Sequence, residues 1–259
     1  MPRPLRILIL AGTKEARKLG ERLADEAAVA PILSLAGRTK NPVLPAGAHR
    51  IGGFGGIAGL MAYLRAQAID LVIDATHPFA EQMSAHAEAA CCETAIPLVL
   101  FTRPPWTARE GDRWNQAASA EAAARGLGEI PRRVFLTIGR LQLPAFEMAP
   151  IHHYLIRTID APEPAPKLPD YRLILARGPF SLADEMRLMQ TENIDVLVTK
   201  NSGGDTTYAK IEAARRFAIP VILMRPPMRT NVPVFDDLDL IIAFVLQAAH
   251  QRAPDPRGV

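Results

Sequence analysis

The stretch LRILILAGTKEAR, residues 5–17, decides the fold. Its first seven residues, Leu5–Ala11, form a nearly continuous apolar run, which predicts a buried β-strand. One glycine, Gly12, follows, and the Ala/Leu/Arg/Glu-rich segment Glu15–Ala28 predicts a helix. A buried strand that turns tightly into a helix is the opening unit of a parallel α/β sheet.

The same alternation of short apolar runs and helical patterns continues along the chain. Further strands are predicted at Pro31–Leu35, Asp70–Asp74, Pro97–Phe101, Arg133–Ile138, Tyr154–Ile159, Arg172–Ala176, Asp195–Thr199 and Val221–Met224. Further helices are predicted at Ile57–Gln67, Ala80–Ala95, Ala120–Gly126, Leu182–Thr191, Tyr208–Phe217 and Leu238–Gln251. The pattern predicts sheets with helices on both faces.

The alternation stops at Thr102–Ala117, where Pro104 and Pro105 interrupt it, and then restarts. We therefore expect two doubly wound, Rossmann-like α/β lobes with parallel sheets and an interlobe cleft. Residues 1–103 are expected to form an N-terminal dinucleotide-binding lobe. Residues 104–259 are expected to form a C-terminal lobe that completes the substrate and cofactor cleft.

Composition excludes several classes of protein. Of 259 residues, 49% are hydrophobic and 22% charged, which excludes wholesale disorder. The net charge of +3 is too small to indicate nucleic acid but suits a small polyanionic ligand. The adjacent Cys91 and Cys92 cannot build a disulfide framework and are read as two small packed residues rather than a redox switch. The apolar N-terminal run is too short for a signal peptide, so a cytoplasmic chain without a membrane partner is expected.

In open α/β sheets, ligands bind at the carboxyl ends of the strands, so the residues that follow each strand are the candidates. After the first strand, the turn Gly12, Thr13 and Lys14 leads into a helix, whose N-terminus attracts anions. Only one glycine of a dinucleotide fingerprint is present, and a plain tight turn capped by Thr13 is an equal alternative.

The segment after the second strand bears on the choice of cofactor. It contains Gly37, Arg38 and Thr39, and no Asp or Glu occurs between Pro31 and Gly59. An acidic residue here would hold the ribose of NAD, whereas an arginine accommodates the 2′-phosphate of NADP. The pattern favours NADPH over NADH, and the alternative is a solvated loop arginine.

Two more segments of the first lobe are candidates. The run Gly52–Gly56 brackets one aromatic and opens a helix, and we expect Gly53, Phe54 and Gly55 to face a ligand; a flexible surface loop is the alternative. The next strand ends before Thr76, His77 and Pro78. His77 is a candidate donor of a hydrogen bond or a proton, and a structural histidine tied to the backbone is its alternative.

In the second lobe, the strand at Asp195–Thr199 runs into a polar, glycine-containing loop that suits an anion or a cofactor. Its candidate residues are Lys200, Asn201, Ser202 and Gly203, with Lys210 on the following helix. Asp205 or Thr206 as a simple helix cap is the alternative. Four further cations follow strands: Arg103, Arg140, Arg177 and Arg225. Such a set suits a ligand with several carboxylates, each of which one arginine can bind with two hydrogen bonds. No P-loop, nucleophile-elbow or zinc-protease motif occurs, and no metal is expected.

Taken together, these segments resemble the precorrin-6A reductases of cobalamin biosynthesis. The stretches that carry the resemblance, in the family's order, are ILILAGTKEAR, SLAGRT, GGFGGIAGL, DATHPFA, LTIGR, LILARGPF, VTKNSGG and VILMRPP. The resemblance implies an NADP-dependent oxidoreductase of the CH-CH group, with hydride from NADPH to carbon 19 and a proton to carbon 18 of the macrocycle. His77 and Lys200 are the candidate proton donors, with bound water as their rival.

The resemblance also implies roles for the other candidates. The cofactor would be bound by Gly12, Thr13, Lys14, Gly37, Arg38, Thr39, Gly53, Phe54, Gly55, Thr76, His77, Pro78, Asn201, Ser202 and Gly203. The tetrapyrrole carboxylates would be bound by Arg103, Arg140, Arg177, Lys200, Lys210 and Arg225. The expected assembly is a monomer with transient hand-off to neighbouring pathway enzymes. The alternatives are a non-catalytic NADP(H)- or tetrapyrrole-binding protein and a two-lobe nucleotide-sugar transferase.

Overall fold

In the computed structural model, which describes residues 3–37, 47–227 and 232–251, the strands assemble into two sheets. The strands are β1 (Leu5–Ala11), β2 (Val29–Leu35), β3 (His49–Ile51), β4 (Leu71–Ala75), β5 (Leu98–Phe101), β6 (Trp114–Ala117), β7 (Arg133–Thr137), β8 (His153–Thr158), β9 (Tyr171–Leu175), β10 (Val196–Lys200), β11 (Val221–Met224) and β12 (Val234–Phe235). The helices are α1 (Lys14–Ala24), α2 (Gly56–Ala66), α3 (Glu81–Thr94), α4 (Ala120–Arg125), α5 (Leu182–Thr191), α6 (Ala209–Arg216) and α7 (Leu238–Gln251), with a 3₁₀ helix at Arg140–Met148.

Both sheets are six-stranded and parallel, with the same winding. Sheet 1 has the order β12-β5-β4-β1-β2-β3, and sheet 2 the order β6-β11-β10-β7-β8-β9. In sheet 1 the chain starts at β1 in the middle, winds outward to β3 and then crosses over to wind outward through β4 and β5 to β12. Sheet 2 repeats this path from β7 to β9 and then from β10 to β11, but its first strand in the chain, β6, lies at the edge beside β11. The crossover places a topological switch point between β1 and β4 and another between β7 and β10. The predicted α/β class with doubly wound parallel sheets is confirmed.

Strand β1 shows why its sequence is apolar almost throughout. Ile7 and Ile9 pack on the face of sheet 1 that α1 and α7 cover. Leu8 and Leu10 point to the opposite face and pack against α2 and α3. A strand covered on both faces needs apolar residues at nearly every position, which is the pattern in Leu5–Ala11, where Arg6 is the one polar residue and is half-buried.

The chain divides into two units, and the division corrects one predicted boundary. Unit 1 comprises Met1–Arg103 with Pro227–Val259, and unit 2 comprises Pro104–Pro226. The assignment of all of 104–259 to the second lobe is therefore wrong for the C-terminal segment. There, β12 pairs with β5, and Ile241 and Val245 of α7 enter the core behind β1. The tertiary pairing, and not order along the chain, places this segment.

Several element boundaries also differ from the predictions. Helix α1 ends at Ala24 rather than Ala28, because the carbonyl of Ala28 already accepts a hydrogen bond from Leu5 of β1. Strands β3, β6 and β12 and the 3₁₀ helix were not predicted. Each of these strands has two to four residues and lies at a sheet edge, too short for a periodic signal.

The two cysteines differ in environment. Cys91 is buried in α3 and Cys92 is exposed, and both are free thiols. Burial, with a smaller contribution from the nearby Asp74 carboxylate, raises the pKa of Cys91 to about 12, so this thiol stays protonated. Among the described helices, none is long and apolar enough to cross a membrane.

Candidate functional site

Four neighbouring strands of sheet 1 end in one row at its carboxyl edge. Their last residues are paired in register, in the order Ile51, Leu35, Ala11 and Ala75. The residues that follow them are Gly52, Ala36, Gly12 and Thr76. Three strand spacings span about 14 Å, so this edge offers a continuous row of backbone groups to an elongated ligand.

The β1–α1 turn lies directly against the β4–α3 turn. A Cβ built on Gly12 would lie 3.6 Å from the backbone nitrogen of His77, an ordinary contact, and the backbone of Gly12 is not in the left-handed region. Glycine is therefore not required here by the chain itself. The exposed space beside it is available to a ligand.

Thr13 has a structural role at this turn. Its hydroxyl accepts a hydrogen bond from the N–H of Ala16 at 3.0 Å and donates to the carbonyl of Ala75 at 3.1 Å. The side chain of Thr13 is therefore a helix cap, which was the alternative interpretation of this turn. It also links the end of β1 to β4. Lys14 next to it is exposed.

The glycine-rich turn before α2 has a special backbone. Gly52, Gly55 and Gly56 all have positive φ, at 118°, 80° and 87°, a region that other residues adopt with strain. Gly59 is needed for a different reason, since a Cβ there would lie 1.7 Å from the carbonyl oxygen of Phe54. Because Gly55 is the N-cap and brings no side chain to α2, the first N–H groups of this helix are available to an anion.

Arg50 of β3 organises this turn and was missed in the sequence. Its guanidinium donates to the carbonyls of Gly52 and Gly53 and lies over the ring of Phe54. An arginine in a three-residue edge strand carries no motif signal, so only the folded structure reveals it.

The turn after β4 presents an oriented histidine. The buried Asp74 carboxylate accepts hydrogen bonds from the backbone N–H and the hydroxyl of Thr76, which fixes the start of the turn. The Nδ1 atom of His77 accepts the N–H of Phe79 at 3.2 Å. A neutral ring in this arrangement carries its proton on Nε2 and can donate it. Pro78 beside it is half-buried.

Arg103 has a partner within unit 1. Its guanidinium lies 3.5 Å from the carboxylate of Glu15 in the first turn of α1, and 14% of its side chain is exposed. Glu15 places a negative charge beside the β1–α1 turn, which opposes an anion there. Arg103 offsets that charge, so its partner lies at the β1–α1 turn of unit 1, whereas a substrate-binding role was expected for it.

Arg38 and Thr39, the two residues expected to contact a 2′-phosphate, lie outside the described residues. Gly37 just before them is exposed with φ of 68°.

In unit 2, the predicted cations gather at the carboxyl edge of sheet 2. Lys200 ends β10 beside the switch point, and a Cβ built on Gly139 would lie 3.9 Å from its ammonium nitrogen. Arg140, Arg177 and Arg225 follow β7, β9 and β11, so the parallel sheet brings them to the same edge. Arg177 and Arg225 are exposed and Arg140 is half-buried.

The loop after β10 is fastened to Trp106, another residue that the sequence did not single out. The Oδ1 atom of Asn201 accepts from the backbone N–H of Trp106 at 2.7 Å, and its Nδ2 donates to the Trp106 carbonyl at 2.9 Å. The indole N–H of Trp106 donates to the carbonyl of Gly204. Asn201, Ser202 and Gly203 are all buried. The amide of Asn201 therefore shapes the loop and is not directed at a ligand.

A buried charged cluster lies under this loop. Arg157 of β8 donates to Glu185 of α5 at 2.7 Å, and both side chains are more than nine-tenths buried. Lys210 is 4% exposed, and its ammonium donates to the carbonyl of Thr207 at 3.0 Å. Burial, and then the charge of Arg157, lower the pKa of Lys210 to about 7, while Glu185 acts in the opposite direction. Lys210 thus lies inside the unit rather than on a surface that a substrate can reach.

In the described part of the chain, no group of three or more His, Cys, Asp or Glu residues could hold a metal ion.

Comparisons with known proteins agree over nearly the whole chain. The family described as "Precorrin-6x reductase CbiJ/CobK" matches residues 6–246. Precorrin-6A reductase of Rhodobacter capsulatus is 46% identical over 254 residues, 98% of this chain and 99% of that protein. Precorrin-6A reductase of Rhodococcus erythropolis is 49% identical over 241 residues, which are 93% of this chain and 97% of that protein. A solved structure titled "CobK precorrin-6A reductase" has a TM-score of 0.87 at 44% identity, covering 98% of this chain and 99% of that one.

Proposed function

Because this chain belongs to the precorrin-6x reductase family CbiJ/CobK, we propose that it reduces precorrin-6A to precorrin-6B in cobalamin biosynthesis with NADPH. The family membership confirms the resemblance that the motifs carried. The reaction adds a hydride at carbon 19 and a proton at carbon 18 of the macrocycle.

The observation that carries the cofactor assignment is the row of strand ends in unit 1. Gly12, Gly52 and Thr76 line one edge over about 14 Å, and glycines leave the backbone open there. The uncapped N-terminus of α2 adds N–H donors that suit a pyrophosphate. These residues fit a dinucleotide, which supplies the hydride when bound.

Within unit 1, we assign the cofactor to Gly12, Lys14, Gly37, Gly53, Gly55, Thr76, His77 and Pro78, with Arg38 and Thr39 on the 2′-phosphate. Phe54 packs against Arg50 and Thr13 caps α1, so these two residues stabilise the turns. Arg103 neutralises Glu15 next to the cofactor turn.

Unit 2 is assigned to the acidic macrocycle. Lys200 and Arg140 flank the switch point of sheet 2, and Arg177 and Arg225 follow strands at the same edge. Guanidinium groups bind carboxylates in pairs of hydrogen bonds, so this edge suits the acetate and propionate groups of a tetrapyrrole. Ser202 and Gly203 supply loop backbone to the nicotinamide end or the macrocycle.

The donor of the proton to carbon 18 is assigned to His77 or Lys200. His77 has the firmer geometry, because the hydrogen bond from Phe79 to Nδ1 leaves Nε2 as the donor. We expect His77→Ala to lower kcat while the protein stays folded, and an unchanged kcat would leave His77 structural.

The direct test incubates the purified chain with precorrin-6A and NADPH deuterated at the transferred position of nicotinamide carbon 4. Loss of nicotinamide absorbance together with a product that gains one deuterium is expected. Binding without turnover would support the non-catalytic alternative instead. Arg38→Ala should raise the KM for NADPH far more than that for NADH, and equal effects would remove Arg38 from the 2′-phosphate.

A further inference from the structure

We propose that Arg50 is a positioning residue that sets the shape of the Gly52–Gly56 turn and through it the affinity for the cofactor. The inference rests on the proposed function, because it assigns the turn to the dinucleotide. It goes further by naming a side chain outside the strand ends and outside every motif in the sequence.

The polar contacts of Arg50 converge on the turn. Its Nη1 atom donates to the carbonyl of Gly52 and to the hydroxyl of Ser34, each at 2.8 Å. Its Nη2 atom donates to the carbonyl of Gly53 at 2.9 Å. Two consecutive glycine carbonyls are thus drawn to one guanidinium, and Ser34, buried near the end of β2, anchors that group to the sheet.

The apolar face of the guanidinium fixes the rest of the turn. Its central carbon lies 3.9 Å from the centre of the Phe54 ring and 5.2 Å from that of Tyr63 on α2. Phe54 and Tyr63 themselves meet edge to face at 5.2 Å. Arg50 therefore joins β2, the turn and α2 into one arrangement.

The turn needs such a support because its own residues supply little. Glycine loses the most conformational freedom on ordering, and four of the five residues in this turn are glycines. Holding both carbonyls toward Arg50 orders the backbone before a ligand arrives. A preorganised site loses less affinity to ordering on binding. A lysine cannot replace this function, since one ammonium lacks the planar fork and the flat stacking surface.

The experiment compares Arg50→Met and Arg50→Lys with Arg65→Met, a matched loss of an exposed arginine on α2. The dissociation constant of NADPH is measured by nicotinamide fluorescence, alongside kcat, the KM for each substrate and the melting temperature. Both Arg50 variants should raise the Kd and the KM for NADPH at least tenfold. The KM for precorrin-6A and kcat at saturating NADPH should stay within twofold, and Arg65→Met should match wild type.

The outcomes separate the two proposals. If wild type binds no NADPH, the proposed function falls and the inference falls with it. If wild type binds NADPH and Arg50→Met binds it equally well, only the inference is overturned. Full recovery in Arg50→Lys would also overturn it, because charge rather than shape would then be the cause. Should Arg50→Met fail to fold, the test uses Arg50→Lys and Phe54→Leu, the second of which removes the stacking partner. A rise in the KM for NADPH without a rise in the KM for precorrin-6A is again the expected result.

Discussion

The ammonium nitrogen of Lys210 lies 5.6 Å from the centre of the Trp106 ring, inside unit 2. The same nitrogen donates to the carbonyl of Thr207, and Trp106 holds Asn201 and Gly204 of the same loop. A buried cation on an aromatic ring therefore closes the loop that follows β10. Its protonation state matters, because only the charged form attracts the ring.

The lowered pKa of Lys210 predicts a dependence of stability on pH. Between about pH 7 and the ordinary lysine value of 10.5, the unfolded chain carries a proton at Lys210 that the folded chain lacks. The free energy of unfolding of wild type, relative to Lys210→Met, should therefore rise with pH across this window, by at most about 1.4 kcal/mol per pH unit.

Urea unfolding of both proteins from pH 6 to 10 measures this difference, with the exposed Lys18→Met as control. Below about pH 7 the difference should become flat, because Lys210 is then charged in both states. A difference that falls with increasing pH would contradict the lowered pKa. The groups that tune it are Arg157, which lowers the pKa, and Glu185, which raises it.

Substitution by alanine should affect stability differently at two glycines of the α2 region. Gly59→Ala places a Cβ 1.7 Å from the carbonyl oxygen of Phe54, so the turn must move, and a loss of about 1–3 kcal/mol of stability is expected. Gly53→Ala meets no described atom within 4 Å, and the φ of Gly53 suits alanine, so the melting temperature should hold. If the cofactor lies against this backbone, Gly53→Ala should still raise the KM for NADPH about tenfold. A drop in stability with unchanged KM in Gly53→Ala would place the cofactor elsewhere.

Asn201 should be required for folding more than for chemistry. Asn201→Ala removes both hydrogen bonds to the Trp106 backbone and leaves buried groups without partners, at a cost of about 2–4 kcal/mol. Asn201→Asp keeps the acceptor for the Trp106 N–H, but it places a buried carboxylate oxygen against the Trp106 carbonyl, so it should lose at least as much stability. Chemical denaturation measures both, with the exposed Asn115→Ala as control. Unchanged stability with a lost NADPH affinity would return Asn201 to the cofactor-binding role.

Arg103 and Glu15 should behave as a pair. Arg103→Ala leaves the Glu15 carboxylate beside the β1–α1 turn, so repulsion should raise the KM for NADPH several-fold. Adding Glu15→Gln to that variant should restore most of the affinity. Steady-state kinetics on the single and double variants tests this, and a rise confined to the KM for precorrin-6A would instead support the substrate role read from the sequence.

Much of the fold follows from local pattern. The strand at Leu5–Ala11 and the helices at Leu182–Thr191 and Leu238–Gln251 have the predicted bounds, because long apolar periodicity reports burial directly. The edge strands β3 and β12 carry no such signal, since two or three residues with one neighbouring strand have no period.

The residues of the candidate site likewise divide into those that the sequence predicted and those that only the structure revealed. Residues that directly follow a buried strand, such as Gly12, Thr76 and Lys200, could be read from the sequence because parallel strands share one carboxyl edge. Glu15 and Trp106 could not, since each acts through partners that only folding brings near. Arg50 could not either, because its contacts with the nearby Gly52 and Gly53 depend on the conformation of the turn and on the more distant Ser34. The sequence placed Asn201 in the right loop. It could not show that the Asn201 side chain pairs with Trp106, which is 95 residues away in the chain.

The amino-acid sequence by itself determined the class of fold, the edge of each sheet that bears polar residues and the family, because these depend on local periodicity and on residues next to strand ends. Tertiary structure alone decided that the C-terminal helix completes the first unit, that Lys210 is enclosed with Arg157 and Glu185, and that Arg50 supports the glycine turn. The first two outcomes depend on contacts between distant segments, where burial and charge are set by neighbours that no local pattern contains. The third depends on the conformation of the turn, which brings the carbonyls of Gly52 and Gly53 to a guanidinium that Ser34 also holds.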